Sequence, residues 1–346
     1  MNYIRKHKKA ALLIAVVVVV LFAFVTWQRK LTMSKSVYDE LKEEPRGEAV
    51  EKDDFYYSQL TAKEGEDFLF LKEQMENLNG GVLELPQPVN GKEYQRIITA
   101  LEYEGADNFY GFVDIPMTED NVYVLYEDKD VFKITEDKIS KVILFLSCAE
   151  GIHLSGEFAE DGTVSNLEKI QEGLSVNEET KVAEIEKRQK ETEALLEEIL
   201  QGLPADSGKK EAIDYFLRWL DENMEFVQKA AATTEGMQNM GDMLEKVYDF
   251  NHVASLTKKK ASALGYAKIF SELCHRAGME SHLVMGSWNG GWGQSEMYIF
   301  CAVSIDGQTV YVDASGQKNA SLGGKRCLSE KEAKNRMTFA DYFEYS

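Results

Sequence analysis

Cysteine and proline are scarce in this sequence, which has four cysteines and five prolines among 346 residues. So few prolines exclude collagen-like and mucin-like chains, and a hydrophobic share of 44% excludes a largely disordered one. The cysteines are too scattered for a disulfide framework, and none belongs to the C-x-x-C pair typical of zinc sites. We therefore expect them to be small core residues, or to form one bridge, and we expect neither a metal nor a cofactor. They are Cys148, Cys274, Cys301 and Cys327.

Basic residues are also relatively few. The chain has 39 lysines and arginines and 59 aspartates and glutamates, which gives a formal net charge of −20. Proteins that bind nucleic acids neutralise phosphates with lysine and arginine, so this balance argues against a nucleic-acid partner. The acidity itself favours solubility and identifies no particular ligand. At roughly 150 residues per domain, the length predicts two folded units.

One long apolar run is present near the start of the chain. Residues 10–27 contain 18 consecutive residues without a charge, which is long enough for one transmembrane helix. Four basic residues precede the run and two follow it, so the positive-inside rule leaves residues 1–9 in the cytoplasm and exports the rest. A cleaved signal peptide is the alternative, but the run is long for one and no A-x-A-like cleavage site follows it. We expect a single-pass protein of the cell membrane whose bulk is extracytoplasmic.

The exported part is predicted to contain a tether and two α+β domains. Residues 28–52 are polar and rich in charge, which is typical of a solvated tether. Residues 53–176 mix amphipathic helices with alternating strands and predict a small α+β domain, and residues 177–346 predict a second domain. The clearest elements of the first domain are helices from Glu64 to Leu78 and Gly91 to Glu104, and strands from Asn121 to Tyr126 and Lys141 to Leu146.

The second domain begins with helices and ends with strands. A charged helix from Asn177 to Gly202 favours a surface position between the two domains, with a coiled-coil partner as the alternative. Core-facing helices follow from Lys209 to Glu225 and from Ser262 to Arg276. Three strands are predicted next, and Asp306-Gly307 is a strong hairpin signal between the last two. These strands are Glu280 to Met285, Glu296 to Ile305 and Thr309 to Asp313.

The segment 261–315 resembles the transglutaminase-like superfamily, whose core is papain-like. The run ALGYAKIFSELCHRAG is similar to the family's helix, which normally begins Cys-x-Gly-Tyr-Ala, and puts Ala263 at the cysteine position. The hairpin is similar to the family's His-Ala-Trp-Asn strand, its Asp-Gly turn and its final Val-Asp. Counting from the turn puts Tyr298 at the histidine position and Asp313 at the aspartate position. The resemblance is looser over 208–260 and implies an α+β fold.

Such an enzyme needs a thiolate at a helix N-terminus, a histidine base and an aspartate that orients it. Alanine supplies no nucleophile, and tyrosine, with a reference pKa near 10, is a poor base at neutral pH. Helix and strand spacings put Cys274 and Cys301 out of reach, and Ser262 would need a shift of the helix start. We expect the three histidines of this region to be surface or partly buried residues, namely His252, His275 and His282. The domain is therefore expected to be a pseudoenzyme.

A glycine-rich stretch over 286–294 carries Trp288 and Trp292, and is predicted to be a loop beside the former catalytic cleft. Exposed tryptophans can stack on sugars or peptide side chains, so these two, with Tyr298 and Asp313, form a candidate binding cleft. The alternative is that the tryptophans cap the core. The resemblance implies a bacterial cell-envelope role in which the domain binds a peptide, peptidoglycan or a surface protein. Two competing interpretations are an active cysteine-type acyl transferase or protease with an unrecognised nucleophile, and a structural spacer.

Overall fold

The computed structural model describes residues 37–50, 54–104, 112–118, 122–123, 138–146, 157–158, 163–165, 179–227, 250–289, 295–318, 321–322 and 324–345. The predicted transmembrane segment 10–27 lies outside these ranges, so that prediction stays untested. Among the helices within them, none has the length and apolar character needed to cross a membrane. The described chain is α+β, with antiparallel strands in both of its larger sheets.

The described residues from 62 to 165 form two α-helices and a six-stranded sheet. Helix α2 (Ala62–Glu76) begins at a capping box, in which Thr61 accepts the Glu64 N–H and the Glu64 carboxylate accepts the Thr61 N–H. Helix α3 (Gly91–Glu104) has the predicted bounds and buries one apolar stripe. The strands are β1 (Gly81–Val89), β2 (Phe112–Met117), β3 (Val122–Tyr123), β4 (Ile139–Leu146), β5 (Glu157–Phe158) and β6 (Thr163–Ser165), in the order β1-β4-β2-β3-β6-β5. The predicted strand from Asn121 is thus described over two residues only.

The described residues from 179 to 339 pack helices on a five-stranded antiparallel sheet. The helices are α4 (Glu179–Gln201), α5 (Lys209–Asn223), α6 (Ala263–Arg276) and the short α7 (Glu330–Lys334). The sheet order is β12-β11-β10-β9-β13, and a separate parallel pair joins β7 (Glu225–Phe226) to β8 (Lys260–Ala261). The sheet strands are β9 (Ser281–Asn289), β10 (Ser295–Ile305), β11 (Gln308–Val312), β12 (Cys327–Ser329) and β13 (Met337–Phe339).

The predicted hairpin is confirmed at its turn. Ile305 pairs with Gln308, and the two residues between them, Asp306 and Gly307, have φ angles of 52° and 66°. Two consecutive positive φ values characterise the type I′ turn, whose twist matches that of the flanking strands. This turn fixes the register of β10 against β11, which brings Cys301 opposite Val312.

Strand alternation gives the five-stranded sheet two chemically different faces. On the helix face, the Cys301 thiol donates to the Ala267 carbonyl at 3.2 Å, so this side packs on α6. Helix α6 also packs on α5, where the buried rings of Phe216 and Phe270 meet edge to face with centroids 6.4 Å apart. By register, the helix face carries Leu283, Cys301, Val303 and Val312. The aromatic face carries Trp288, Tyr298, Phe300 and Tyr311, with Asp313 following on the same side.

Part of the predicted tether contacts helices α5 and α6. Residues 37–50, called the strap below, begin with the short helix α1 (Val37–Glu40), where Tyr38 is buried and donates to the Lys210 carbonyl at 3.0 Å. The Glu43 carboxylate accepts the Lys210 N–H at 2.8 Å. The Val50 N–H donates to the His275 carbonyl at 2.9 Å. The strap thus satisfies backbone groups at the start of α5 and the end of α6.

The two sheets are joined by the segment before α2 and the last residues of the chain. The Tyr56 hydroxyl donates to the Leu283 carbonyl of β9, and its ring meets that of Phe343 at 4.7 Å. Arg96 of α3 pairs with Glu64 at 2.9 Å and donates to the Tyr342 carbonyl. Helix α4, predicted to lie between two domains, packs on α6 and on the 3₁₀ helix Val253–Lys258.

Candidate functional site

The first predicted site residue, Ala263, begins α6. The residue before it, Ser262, is the N-cap, and its hydroxyl accepts the Gly265 N–H at 3.2 Å. The same hydroxyl donates to the side-chain oxygen of Asn251 at 2.5 Å. Because Ser262 is buried and makes both contacts within the protein, its hydroxyl has a structural role at the helix start.

The first turn of α6 is covered by a neighbouring backbone segment. A Cβ atom added at Gly265 would lie 2.1 Å from the Phe250 carbonyl oxygen, so only glycine fits there. The Ser262 N–H donates to that same oxygen at 3.0 Å. Residues 250 and 251 therefore lie directly against the end of α6 at which the sequence resemblance predicts the position of a nucleophile.

The second and third predicted residues meet in a buried hydrogen-bond network. The Tyr298 hydroxyl donates to Asp313 Oδ1 at 2.6 Å, and the Ser315 hydroxyl donates to the same oxygen at 3.1 Å. Two backbone N–H groups complete the set, from Gly316 to Oδ1 at 3.0 Å and from Lys318 to Oδ2 at 3.1 Å. Asp313 thus accepts four hydrogen bonds, which compensates the burial of its charge.

The pKa of Tyr298 shows what this network does to the phenol. Burial raises the pKa well above its ordinary value, and the nearby negative charge of Asp313 raises it further. The phenol therefore keeps its proton at neutral pH and acts as a donor to Asp313. A general base must do the opposite, so the pair has the geometry of a fixed structural contact.

Strand register separates this pair from the body of α6. Tyr298 lies on the aromatic face, and Cys301, three positions along the same strand, lies on the helix face against Ala267. The predicted contact between Tyr298 and Asp313 is confirmed. That Ala263 faces them stays a prediction.

Three cysteines are described, and all three are buried residues outside any disulfide, as predicted. Burial raises the pKa of each thiol well above its ordinary value, so none is a thiolate at neutral pH: Cys274, Cys301 and Cys327. The fourth, Cys148, lies outside the described residues. In the part of the chain that the structure covers, no cluster of histidine, cysteine or acidic side chains could hold a metal ion.

The histidines correct one prediction. His252 and His275 are buried, whereas a surface or partly buried position was expected. His275 Nε2 lies 2.6 Å from the Ser281 carbonyl oxygen, a contact that local sequence does not reveal. His282 is half-buried as predicted, and its ring stacks on Phe55 at 3.9 Å. Burial, reinforced by the charge of His275, lowers the pKa of His282 to about 4.

The predicted tryptophan loop is shorter than expected. Strand β9 continues through Asn289, so Trp288 is a strand residue, only 5% exposed, and the prediction of a flexible loop position is wrong for it. Its ring contacts Tyr298 at 5.8 Å and Phe300 at 6.3 Å. Trp292 lies outside the described residues.

One side chain at this site was not anticipated from the sequence. The Lys318 ammonium lies 5.0 Å from the centre of the Tyr298 ring and 5.6 Å from that of Trp288. The turn that brings it there depends on Gly316, whose φ of 68° lies in the region that favours glycine. The Asp-Ala-Ser-Gly run after β11 was the available signal, because aspartate readily accepts backbone N–H groups of a following turn.

The fold has weak likeness to solved structures. A protein from Cytophaga hutchinsonii described as a candidate cysteine protease shares 10% identity over 43% of this chain and 46% of its own, with a TM-score of 0.28. A protein described as a TGase shares 13% identity over 41% of this chain and 34% of its own, with the same TM-score of 0.28. The chain thus spans less than half the length of either protein. No family model and no curated protein matches the sequence.

Proposed function

We propose that this protein is a membrane-anchored, cell-surface binding protein whose second domain is a transglutaminase-like module without acyl-transfer chemistry. Its ligand is a peptide, a peptidoglycan stem or a surface protein. The membrane anchor rests on the apolar run at residues 10–27 and its basic flank. The family resemblance rests on the sequence over 261–315.

The observation that carries the loss of chemistry is the covered start of α6. Where a thiol would stand, the chain has Ala263, and the carbonyl of residue 250 lies against the first turn. Ser262, the nearest hydroxyl, is occupied as an N-cap and as a donor to Asn251. An acyl transferase needs a nucleophile and a base that act as one unit, and losing both leaves binding contacts alone.

Inertness can be tested on the full-length chain purified in a mild detergent. We expect no incorporation of a fluorescent primary amine into casein and no hydrolysis of denatured casein. Turnover that Ser262→Ala, Cys274→Ala, Cys301→Ala or Cys148→Ala abolishes would overturn the proposal and identify the nucleophile.

Binding and topology need separate assays. The full-length protein should co-sediment with purified peptidoglycan or enrich peptides from a defined library, and a chain that does neither would be a structural spacer. Protease added to intact cells should digest the protein beyond residue 30. Complete protection of that part would contradict the extracytoplasmic location.

A further inference from the structure

The strap joins two helix ends that lie close together. Pro45 forms an antiparallel β-bridge with Gly208, the residue before α5, and the Gly47 N–H donates to the Gly278 carbonyl, just past α6, at 3.4 Å. A Cβ atom added at Gly278 would lie 2.2 Å from the Gly47 carbonyl oxygen, so the two backbones are in close contact. Pro45 and Gly47 are two residues apart, at most about 7 Å. The start of α5 and the end of α6 thus lie on one side of the helix pair, called the strap end below.

The opposite ends of the same two helices also lie together, at what is called the far end below. Strand β7, which follows α5, pairs with β8, which precedes α6. The two helices have 15 and 14 residues, so the far end, which includes Ala263, lies about 20 Å from the strap end at a rise of 1.5 Å per residue. Asp313 belongs to the far end too, because Arg326 contacts both the Asp313 carbonyl and Asp221, near the end of α5.

The strap is the first described segment after the predicted membrane span. Only residues 28–36 separate the apolar run 10–27 from Val37. Fully extended, the ten steps from residue 27 to residue 37 reach about 35 Å. A folded unit of about 150 residues is about 40 Å across. The connection is therefore too short to pass around such a unit and bring its far end to the bilayer.

The charge of the strap argues against its adsorption to lipid. It carries five acidic and two basic side chains, and its acids at positions 39, 40, 43 and 48 are exposed. Segments that bind anionic lipids are instead clusters of lysine and arginine. Attachment through the chain, rather than lipid binding, would therefore decide which end faces the bilayer.

We propose that the strap orients the binding module, with the strap end toward the membrane and the far end, which carries Ala263, Tyr298 and Asp313, directed away from it. The inference rests on the proposed function, because it uses the membrane anchor. It also identifies the side from which a ligand approaches the module. A peptide or peptidoglycan stem beyond the membrane surface meets the far end first.

The test measures fluorescence energy transfer from one dye on the full-length chain to headgroup-labelled lipids in reconstituted vesicles. The dye is attached to Glu211→Cys or to Glu222→Cys, two exposed sites eleven positions apart and on one face of α5. Cys148→Ser is present in both proteins, and the three described cysteines are buried. We expect transfer to be at least about twofold faster from Glu211→Cys, because this site lies about 16 Å nearer to the strap end at 1.5 Å per residue.

Lengthening the connection is the second arm of the test. Insertion of about 30 glycine and serine residues between positions 32 and 33 lets the chain reach about 100 Å further. This insertion should abolish the difference between the two sites. A difference that survives it would overturn the inference, as would equal transfer from the two sites or faster transfer from Glu222→Cys.

Vesicle flotation separates these outcomes from failure of the proposed function. A chain that floats with the vesicles but shows equal transfer from both sites keeps its anchor and contradicts only the inferred orientation. A chain that does not float has no anchor, which contradicts the proposed location and the orientation together.

Discussion

The two faces of the five-stranded sheet are formed by the same strands but make different kinds of contact. On the helix face, Cys301 packs against α6 and its thiol is buried. On the aromatic face, Tyr298 and Asp313 form a polar network beneath Lys318. Thiol chemistry requires nucleophile and base on one side of the sheet, and alternation puts Cys301 and Tyr298 on opposite sides. Strand parity alone therefore prevents Cys301 from replacing the missing nucleophile.

The two faces should also respond differently to substitution. The helix face is stabilised by close packing of apolar side chains, whose loss leaves cavities. The aromatic face depends on hydrogen bonds to a buried carboxylate, whose loss leaves unpaired donors.

The largest effect is expected on the helix side, at Phe270 of α6. Its ring is fully buried against Phe216, so Phe270→Ala should lower the free energy of unfolding by about 3–5 kcal/mol. Urea titration followed by circular dichroism measures this loss. Leu69→Ala, at a side chain 51% exposed on α2, is the control and should change stability by about 0.5 kcal/mol or less.

The next effect is expected on the aromatic face. Asp313→Ala removes the acceptor of the Tyr298 hydroxyl and of the Gly316 and Lys318 N–H groups, and should cost about 2–4 kcal/mol. Tyr298→Phe removes one donor and leaves the other three in place, so its cost should be about 1–2 kcal/mol. Equal losses in the two variants, measured by urea titration, would show that the tyrosine holds the network together.

A smaller effect is expected in the pH dependence of stability, through His282 on the aromatic face. The pKa of His282 is lowered from 6.5 to about 4, so the unfolded chain binds the proton more tightly than the folded one. Its contribution to stability is complete above pH 6.5 and is lost as the pH falls toward 4, by about 2 kcal/mol at pH 5. Comparing the unaltered chain with His282→Gln isolates this contribution.

The carboxyls of Asp67 and Asp114 titrate in the opposite direction. Burial raises the pKa of each to about 6. Through these two groups, the free energy of unfolding therefore increases as the pH falls from 6 toward 4. Asp67 and Asp114 are present in the unaltered chain and in His282→Gln alike. Their contributions therefore cancel when the stabilities of these two proteins are subtracted. A difference that is constant from pH 7 to pH 4 would contradict the assignment of the shift to His282.

Sequence reasoning succeeded where local signals decide the structure. The helix Gly91–Glu104 and the Asp306-Gly307 turn follow from periodicity and turn chemistry, and the turn fixes the register that brings Tyr298 to Asp313. It failed for side chains whose burial depends on how helices and strands pack against one another. His275 and Trp288 are buried by contacts made through tertiary packing, which short-range patterns do not contain.

The strap gives the clearest case of such a long-range contact. Glu43 and Lys210 are 167 residues apart, so the charge-rich sequence around Glu43 gave no indication that it packs on α5. A charged segment is usually solvated, and here its carboxylate and backbone instead satisfy helix ends.

The smallest effect is expected at this strap contact, outside both faces of the sheet. Helix α5 begins after Gly208, which offers no side-chain cap, and the Glu43 carboxylate accepts the Lys210 N–H at 2.8 Å in its place. Glu43→Ala should lower stability by about 0.5–1 kcal/mol, because Glu43 is exposed and water can partly replace it. Glu48→Ala, at an exposed strap residue, is the matched control. A loss at Glu43 no larger than at Glu48, in urea titrations at low ionic strength, would show that the carboxylate does not cap α5.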